Sequence, residues 1–313
     1  MSLKDLQLEF TKITQSIDLL DSPQKSILIP SLNRCKQLID DLVLVQSHFQ
    51  NPHPRSRTYR SAPAAWKIND VNALSLKNII QKSVAQTTQK SAMVFDLDGT
   101  LFDVSHRTLG ILQNWLSSPE SQNFHARVLR QIKLIDLSHI GYSLSHAFEN
   151  AGLNLRDADV LDAFNSAESY WRNTFFDGKS LNHFDKPFTG AADFVNSFYK
   201  AGVQIVYLSG RHDKVMRQGT QAQLEKGGFP LNGCEIVLKS DHAQEDNEFK
   251  GEAFKAICSK FNVVANFENE YINIAAMLQW NQNCSQVIFD SQHSGRNCPD
   301  IPTDISRLEN WII

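Results

Sequence analysis

The chain has 313 residues, of which 42% are hydrophobic and 21% charged, and its formal net charge at pH 7 is −3. That length can bury one large core domain with accessory segments, and the composition is typical of a globular protein. No apolar stretch approaches the ~20 residues of a membrane span. The N-terminus lacks the apolar core of a secretory signal, and five cysteines without a Cys-x-x-Cys pair favour reduced thiols and a cytoplasmic location.

Residues 1–90 differ from the rest of the chain because they carry a net positive charge, whereas the remainder is net negative. Apolar residues recur every three or four positions over 3–20 and again over 23–49, which predicts amphipathic helices. A basic, turn-rich linker (51–67) follows, and a third helix is predicted over 71–86. We interpret this as an N-terminal helical region that packs on the core, self-associates or binds a protein partner. Its few arginines do not indicate nucleic-acid binding.

The most informative segment is Asp96–Asp103, which reads Asp-Leu-Asp-Gly-Thr-Leu-Phe-Asp and directly follows the apolar run 92–95. It places the carboxylates of Asp96 and Asp98 at the mouth of a short buried strand, followed by a glycine turn and the hydroxyl of Thr100. Ligands of open α/β sheets bind outside the carboxyl ends of the strands. One carboxylate there could attack phosphorus while the other transfers a proton beside a metal ion.

A second polar cluster, Ser209-Gly210-Arg211, ends the strand-like run 203–208. The serine hydroxyl can donate to a phosphoryl oxygen, and glycine lets the backbone approach a ligand closely. The planar guanidinium of Arg211 is suited to gripping phosphate. This cluster therefore predicts a phosphate-binding strand end.

Strand-like runs near 92–96, 203–208, 234–238, 263–267 and 286–290 alternate with helical stretches. That alternation predicts an α/β fold with a parallel sheet and helices on both faces.

The Asp96–Asp103 string resembles the nucleophile motif of the haloacid dehalogenase-like (HAD) superfamily, most of whose members are Mg²⁺-dependent phosphatases. The resemblance covers about residues 91–291. It implies a Rossmann-like, three-layer HAD core over 91–103 and 189–313. The residues between them, 104–188, are too long for a loop and show helical spacing, so we expect an all-helical cap that selects a small phosphorylated metabolite.

The resemblance also implies a lysine that neutralises phosphoryl charge and acids that hold the metal. We favour Lys250, which lies near the start of a helical pattern, over Lys239 and Lys255. Glu268-Asn269-Glu270 follows the strand 263–267, and here the chain departs from the family, because many relatives carry aspartate where this one has Asn269. The predicted metal ligands are therefore Asp96, Asp98 through its backbone carbonyl, and one or more residues of the 268–270 segment.

The resemblance implies that Asp96 attacks phosphorus to form an aspartyl-phosphate and that Asp98 protonates the leaving oxygen and then deprotonates water. Thr100 would steady the turn. Two alternatives remain from the sequence: a catalytically weak or inactive HAD-fold binding or scaffold protein that acts through its N-terminal helices, and a phosphotransferase or mutase with the same chemistry. Candidate substrate contacts in the cap are His106, Arg107, His139, Tyr142 and Arg172.

Overall fold

The computed structural model describes residues 11–15, 28–30, 35, 62–241, 243–300 and 303–313. Residues 11–15, 28–30 and 35 are helical, while the rest of the first two predicted helices and most of the linker lie outside the described residues. Within the described part of the chain, none of the helices is long and apolar enough to cross a membrane.

A seven-stranded parallel sheet forms the centre of the molecule, with the strand order β1-β9-β8-β7-β2-β5-β6. Its strands are β1 (Trp66–Val71), β2 (Ser91–Phe95), β5 (Gln204–His212), β6 (Glu235–Lys239), β7 (Asn262–Glu268), β8 (Ser285–Phe289) and β9 (Thr303–Leu308). Two short strands, β3 (Phe102–Asp103) and β4 (Lys186–Pro187), pair antiparallel beside the sheet.

Helices cover both faces of the sheet, as the sequence predicts for a three-layer α/β fold. The helices within residues 62–313 are α1 (Ala73–Ala85), α2 (Ser105–Leu116), α3 (Ala126–Ile132), α4 (Leu144–Asn150), α5 (Ala158–Phe175), α6 (Gly178–Phe184), α7 (Ala191–Lys200), α8 (Asp213–Lys226), α9 (Asp246–Lys260) and α10 (Tyr271–Leu278). Side chains of a strand alternate between faces. Accordingly, Met93 and Phe95 of β2 pack with α1 and α7, and Ala92 and Val94 pack with α9 on the opposite face.

The sheet has two strands that the sequence did not predict. The edge strand β1 pairs in parallel with β9, so residues near 66–71 and the C-terminal region extend the sheet beyond the five predicted strands. Neither strand carries the continuous apolar run that marks a strand buried on both faces. Strand β1 lies at an edge and exposes several of its side chains, and in β9 the buried residues are Ile305 and Leu308. The helix predicted over 71–86 is α1, which begins where Asn72 accepts a hydrogen bond from the backbone N–H of Ser75 at 2.8 Å.

The chain reverses its direction of travel across the sheet at β2. From β2 it proceeds to β5 and β6 on one side, and it then crosses back to β7, β8 and β9 on the other. Such a switch point opens a crevice at the carboxyl ends of the strands. The Asp96–Asp103 motif lies directly at this crevice, because Asp96 follows the last residue of β2.

Between β3 and β4 the chain forms five helices, α2 to α6, with a short 3₁₀ turn at Pro119–Asn123. We call residues 104–185 the helical insert. It has its own hydrophobic core, which includes Trp115, Phe148 and Phe164. Helix α6 packs closely on the core helix α8, where a Cβ added to Gly219 would lie 2.1 Å from the backbone oxygen of Gly178.

Candidate active site

A cavity of about 520 Å³ lies between the carboxyl ends of the central strands and the helical insert. It is lined by most of the site residues predicted from the sequence, namely Asp96, Asp98, Ser209, Gly210, Arg211, Lys250, Glu268, Asn269 and Glu270. Thr100 lies beside them and donates a hydrogen bond to Asp96 at 3.0 Å. The structure therefore brings the predicted catalytic, phosphate-binding and metal-binding residues to one place, although four segments of the chain supply them.

Asp96 is held by contacts on both of its carboxylate oxygens. Lys250 Nζ donates to Oδ1 at 2.6 Å, and Thr100 Oγ1 donates to Oδ2 at 3.0 Å. The backbone N–H of Asp96 donates to the carbonyl of Phe267 at 2.9 Å, which continues the pairing of β2 with β7 past the end of the strand. The position of this carboxylate is thus fixed by the sheet and by two side chains.

Lys250 lies between two acids. Its ammonium donates to Asp96 and to Glu268, each at 2.6 Å, and all three side chains are almost fully buried. Burial and the negative charge of Glu268 raise the pKa of Asp96 to about 7, although Lys250 opposes the shift. Burial disfavours the charged form of Lys250, but Asp96 and Glu268 raise the pKa of its ammonium above the usual value. The ammonium of Lys250 thus forms a salt bridge with each of the two carboxylates.

Asp98 is bound by two arginines. Arg211 donates from Nε to Oδ2 at 2.8 Å and from Nη2 to Oδ1 at 2.7 Å, and Arg107 Nη2 donates to Oδ1 at 2.6 Å. Burial by itself would raise the pKa of Asp98, but the charges of Arg211 and Arg107 hold it well below its usual value. In this arrangement Asp98 is a carboxylate, which is the form that accepts a proton from water.

A bulge at the end of β5 directs Arg211 into the cavity. Ser209 pairs with Leu238, and the next pair joins His212 to Lys239, so Gly210 and Arg211 bulge out of the ladder. Gly210 leaves room for the carboxylate of Asp246, whose nearest atom would lie 2.8 Å from an added Cβ. Because the fork of Arg211 is bound to Asp98, its contact with phosphate stays a prediction.

Asn269 and Glu270 are oriented by the loop after β8. Asn269 Nδ2 donates to the backbone carbonyl of Gln292 at 2.7 Å, so the amide oxygen Oδ1 is its remaining polar atom. Glu270 accepts from the backbone N–H and the hydroxyl of Ser294, each at 2.6 Å. Burial raises the pKa of Glu270, although its hydrogen bonds to Ser294 lower it.

The motif glycine Gly99 is required by the closeness of Asn269. Its φ of 82° lies in the left-handed region, and an added Cβ would lie 2.3 Å from Asn269 Nδ2. The turn after Asp98 therefore passes directly against Asn269. This contact joins the first predicted motif to the last.

The remaining candidates have different surroundings. Tyr142 and Arg107 line the cavity, whereas His106, His139 and Arg172 are not among the described residues that line it. Lys239 pairs with Asp246 at 2.6 Å, and Lys255 is exposed with its ammonium 4.0 Å from the ring centre of Trp280. Of the three lysines considered, Lys250 alone contacts Asp96.

Asp185, Gln223 and Gln292 are among the residues with site contacts that were not predicted from the sequence. Asp185 accepts from Arg107, Gln223 donates to Asp185 and accepts from Arg211, and Gln292 accepts from Asn269. None stands in a recognisable motif. In the sequence, Asp185 looks like a polar residue that ends a helix, and Gln223 looks like any other polar residue of α8. Their place in the site is seen only from the residues that they contact in the folded structure.

Residues 137–289 match the model of the HAD superfamily, subfamily IIIB, described as acid phosphatase. The match contains Ser209, Arg211, Lys250 and the 268–270 segment, and the Asp96–Asp103 motif lies outside it, separated from its first residue by residues 104–136. Over these residues the chain matches the HAD superfamily, and its fold is the HAD-like α/β fold. It is a hydrolase of the phosphatase type.

Solved structures with a similar arrangement include HAD-type enzymes from bacteria. One is a predicted phosphoglycolate phosphatase from Haemophilus somnus, with 14% identity, a TM-score of 0.44 and coverage of 72% of this chain and 96% of that one. Another is a HAD-superfamily hydrolase from Ehrlichia chaffeensis, with 15% identity, a TM-score of 0.40 and coverage of 72% and 94%. No curated protein matches the sequence. The assignment to the HAD superfamily rests on the family match.

Proposed function

We propose that this HAD protein is a Mg²⁺-dependent phosphatase that hydrolyses a small phosphomonoester through an aspartyl-phosphate on Asp96. The observation that carries the proposal is the placement of Asp96. Its carboxylate stands at the end of the central strand, bound by Lys250 and Thr100, and it lines a cavity that also contains Ser209 and Asp98.

In the first half of the reaction, an oxygen of Asp96 forms a bond to phosphorus as the bond to the leaving oxygen breaks. Lys250 and Ser209 offset the negative charge of the phosphoryl group and hold it in line. Asp98 gives the leaving oxygen a proton, which it must first acquire against the charges of Arg211 and Arg107. Leaving groups that depart as stable anions reduce this demand.

In the second half, water attacks the phosphorus of the aspartyl-phosphate and the Asp96 oxygen is released. Asp98 accepts the proton of that water, for which its carboxylate form is suited. The helical insert encloses the cavity from above and limits the size of the substrate, which favours a small phosphorylated metabolite.

The residues at the cavity fit a Mg²⁺ ion, because Asp96, the backbone carbonyl of Asp98 and Oδ1 of Asn269 all offer oxygen. Within the described residues, no three His, Cys, Asp or Glu side chains are arranged to hold a metal, so amide and carbonyl oxygens would complete the set. Glu268 is engaged by Lys250, and Glu270 by Ser294, which favours Asn269 as the ligand. Mg²⁺ would supply positive charge to the phosphoryl oxygens.

The test is phosphate release from 4-nitrophenyl phosphate, with and without Mg²⁺, by the wild type and by Asp96→Asn. We expect metal-dependent release that the variant loses entirely, because an amide does not attack phosphorus usefully. Asp162→Asn, which alters an exposed aspartate of the helical insert, is the matched control and should retain full activity.

Three outcomes would contradict the proposal. Retained activity in Asp96→Asn would exclude Asp96 as the nucleophile. No release by the wild type at any Mg²⁺ concentration, together with no binding of Mg²⁺, would favour a scaffold protein. Phosphate recovered on an added alcohol instead of in solution would indicate a phosphotransferase.

A further inference from the structure

Five side chains from five segments of the chain form a closed ring of hydrogen bonds beside the cavity. The ring runs from Asp98 through Arg107, Asp185, Gln223 and Arg211 and back to Asp98. Each neighbouring pair is joined by a contact of 2.6 to 2.7 Å. It contains two carboxylates and two guanidiniums, so its formal charges cancel.

Two members of the ring, Arg107 and Asp185, have no exposed side-chain area. Arg107 donates to both oxygens of Asp185 and to the backbone carbonyl of Phe175, and its guanidinium lies 4.2 Å from the ring centre of Phe175. Desolvating such a pair costs about as much as its attraction returns, so its presence is weak evidence for a role in stability alone.

The ring is assembled where the chain enters and leaves the helical insert. Arg107 lies in the first turn of α2, just after β3, and Asp185 directly precedes β4. Gln223 and Arg211 belong to the core. The orientation of Asp98 is therefore tied to both ends of the insert and to helix α8 at the same time.

We infer that Arg107 and Asp185 are positioning residues that act through Asp98, a role that rests on the phosphatase function proposed above. Three N–H groups fix the plane of the Asp98 carboxylate, one from Arg107 and two from Arg211. Asp185 holds Arg107 in place, and Gln223 links Asp185 to Arg211. Proton transfer requires the carboxylate to lie within hydrogen-bond reach of the leaving oxygen, so an intact ring matters most for leaving groups that need a proton.

Two substrates of nearly equal shape separate this role from a purely structural one. 4-Nitrophenyl phosphate releases a stable phenolate, whereas 4-nitrobenzyl phosphate releases an alkoxide that needs a proton. The ratio of the two kcat/KM values, nitrophenyl over nitrobenzyl, does not depend on how much of a sample is folded. The variants are Asp98→Ala, Arg107→Met and the isosteric Asp185→Asn, each measured with Mg²⁺ on the full chain.

We expect Asp98→Ala to raise the ratio by about 100-fold, the lower end of the contribution of general acid catalysis. Arg107→Met and Asp185→Asn should also raise the ratio through kcat, with KM nearly unchanged. Because Arg107→Met also removes a charge that opposes protonation of Asp98, Asp185→Asn, which keeps that charge, is the decisive variant. The ratio measured for Arg107→Lys should lie between those of Arg107→Met and the wild type, because lysine keeps the positive charge of arginine but not its planar, forked guanidinium. In the Asp98→Ala background, Arg107→Met should change the ratio no further.

The control is Arg127→Met, which removes an exposed arginine that pairs with Asp157 at 3.4 Å within the same insert. It should leave the ratio at the wild-type value. Equal losses on both substrates in Arg107→Met and Asp185→Asn would overturn the positioning role, as would an unchanged ratio in Asp98→Ala. Failure of the wild type to hydrolyse either substrate would instead refute the proposed phosphatase function.

Discussion

The ammonium of Lys250 lies 2.6 Å from a carboxylate oxygen of Asp96, although 154 residues separate the two along the chain. The same ammonium lies 2.6 Å from Glu268. Because two buried carboxylates share one cation, the group carries a net negative charge when all three are ionised. This negatively charged group can bind a further cation, and Lys250 stabilises the two buried carboxylates.

Replacing Lys250 with methionine should strongly destabilise the protein. The two carboxylates would stay buried without their cation, a loss of about 3–5 kcal/mol in the free energy of unfolding. Urea-induced unfolding measures this value. Lys255→Met is the matched control, because Lys255 is exposed on the same helix and its ammonium lies over the ring of Trp280, so its loss should cost about 1 kcal/mol or less. Equal costs would contradict the shared-cation arrangement.

The affinity for Mg²⁺ should fall as the pH is lowered through about 7. The pKa of Asp96 is raised to about 7, so below that pH a proton competes with the metal for the carboxylate. Titration calorimetry at several pH values should show up to about a tenfold loss per pH unit below the pKa. Asp96→Asn should bind Mg²⁺ more weakly and lose this pH dependence. A flat profile in the wild type would show that Asp96 is not a ligand.

Metal-free Asn269→Asp should be less stable than the wild type by about 1–3 kcal/mol, because a carboxylate oxygen would replace the amide donor that faces the carbonyl of Gln292. Mg²⁺ should restore much of that stability if the new carboxylate binds the metal. Thermal unfolding with and without Mg²⁺ tests both points. Asn281→Asp loses a similar bond, to the carbonyl of Val263 at 3.1 Å, and should show no recovery with Mg²⁺.

Trp311 supports the active-site turn from the C-terminal end of the chain. Its indole is fully buried, stacks on Phe289 with ring centres 5.2 Å apart, and donates from Nε1 to the carbonyl of Thr100 at 3.1 Å. Trp311→Ala should cost about 3–5 kcal/mol in unfolding free energy, measured by denaturant titration. Trp280→Ala, at an exposed tryptophan, should cost much less. A small effect at Trp311 would contradict its supporting role.

Two truncations should have opposite effects. Removal of residues 1–88 deletes β1 and α1, whose Ala73, Leu76 and Ile80 are buried against the sheet, so we expect an insoluble or unfolded product. Removal of residues 1–61 leaves every strand of the described sheet in place, and we expect a folded, active protein. Solubility, far-UV circular dichroism and phosphate release compare the two. Loss of folding in the shorter truncation would show that residues 1–61 belong to the core.

The sequence alone was sufficient for the central strands and the motifs at their ends. Strands β2, β5, β7 and β8 each contain a run of mostly apolar residues, because a central parallel strand is buried on both faces. Chemistry-bearing residues such as Asp96 and Ser209 directly follow these runs or end them. Their shared location follows from the parallel sheet, which gathers the carboxyl ends of its strands at one edge.

Tertiary structure alone decided which atoms meet. Strand β1 was not predicted because an edge strand lacks a continuous apolar run, and its pairing with β9 joins residues far apart in sequence. Asp185 and Gln223 have no motif, since their role comes from Arg107 and Arg211, which the folding of the helical insert brings to them. The sequence by itself determined the strands and the chemical groups available at their ends. Packing of the insert and of both sheet edges decided the hydrogen bonds and charges around those groups, because such contacts depend on three-dimensional proximity and leave no local pattern.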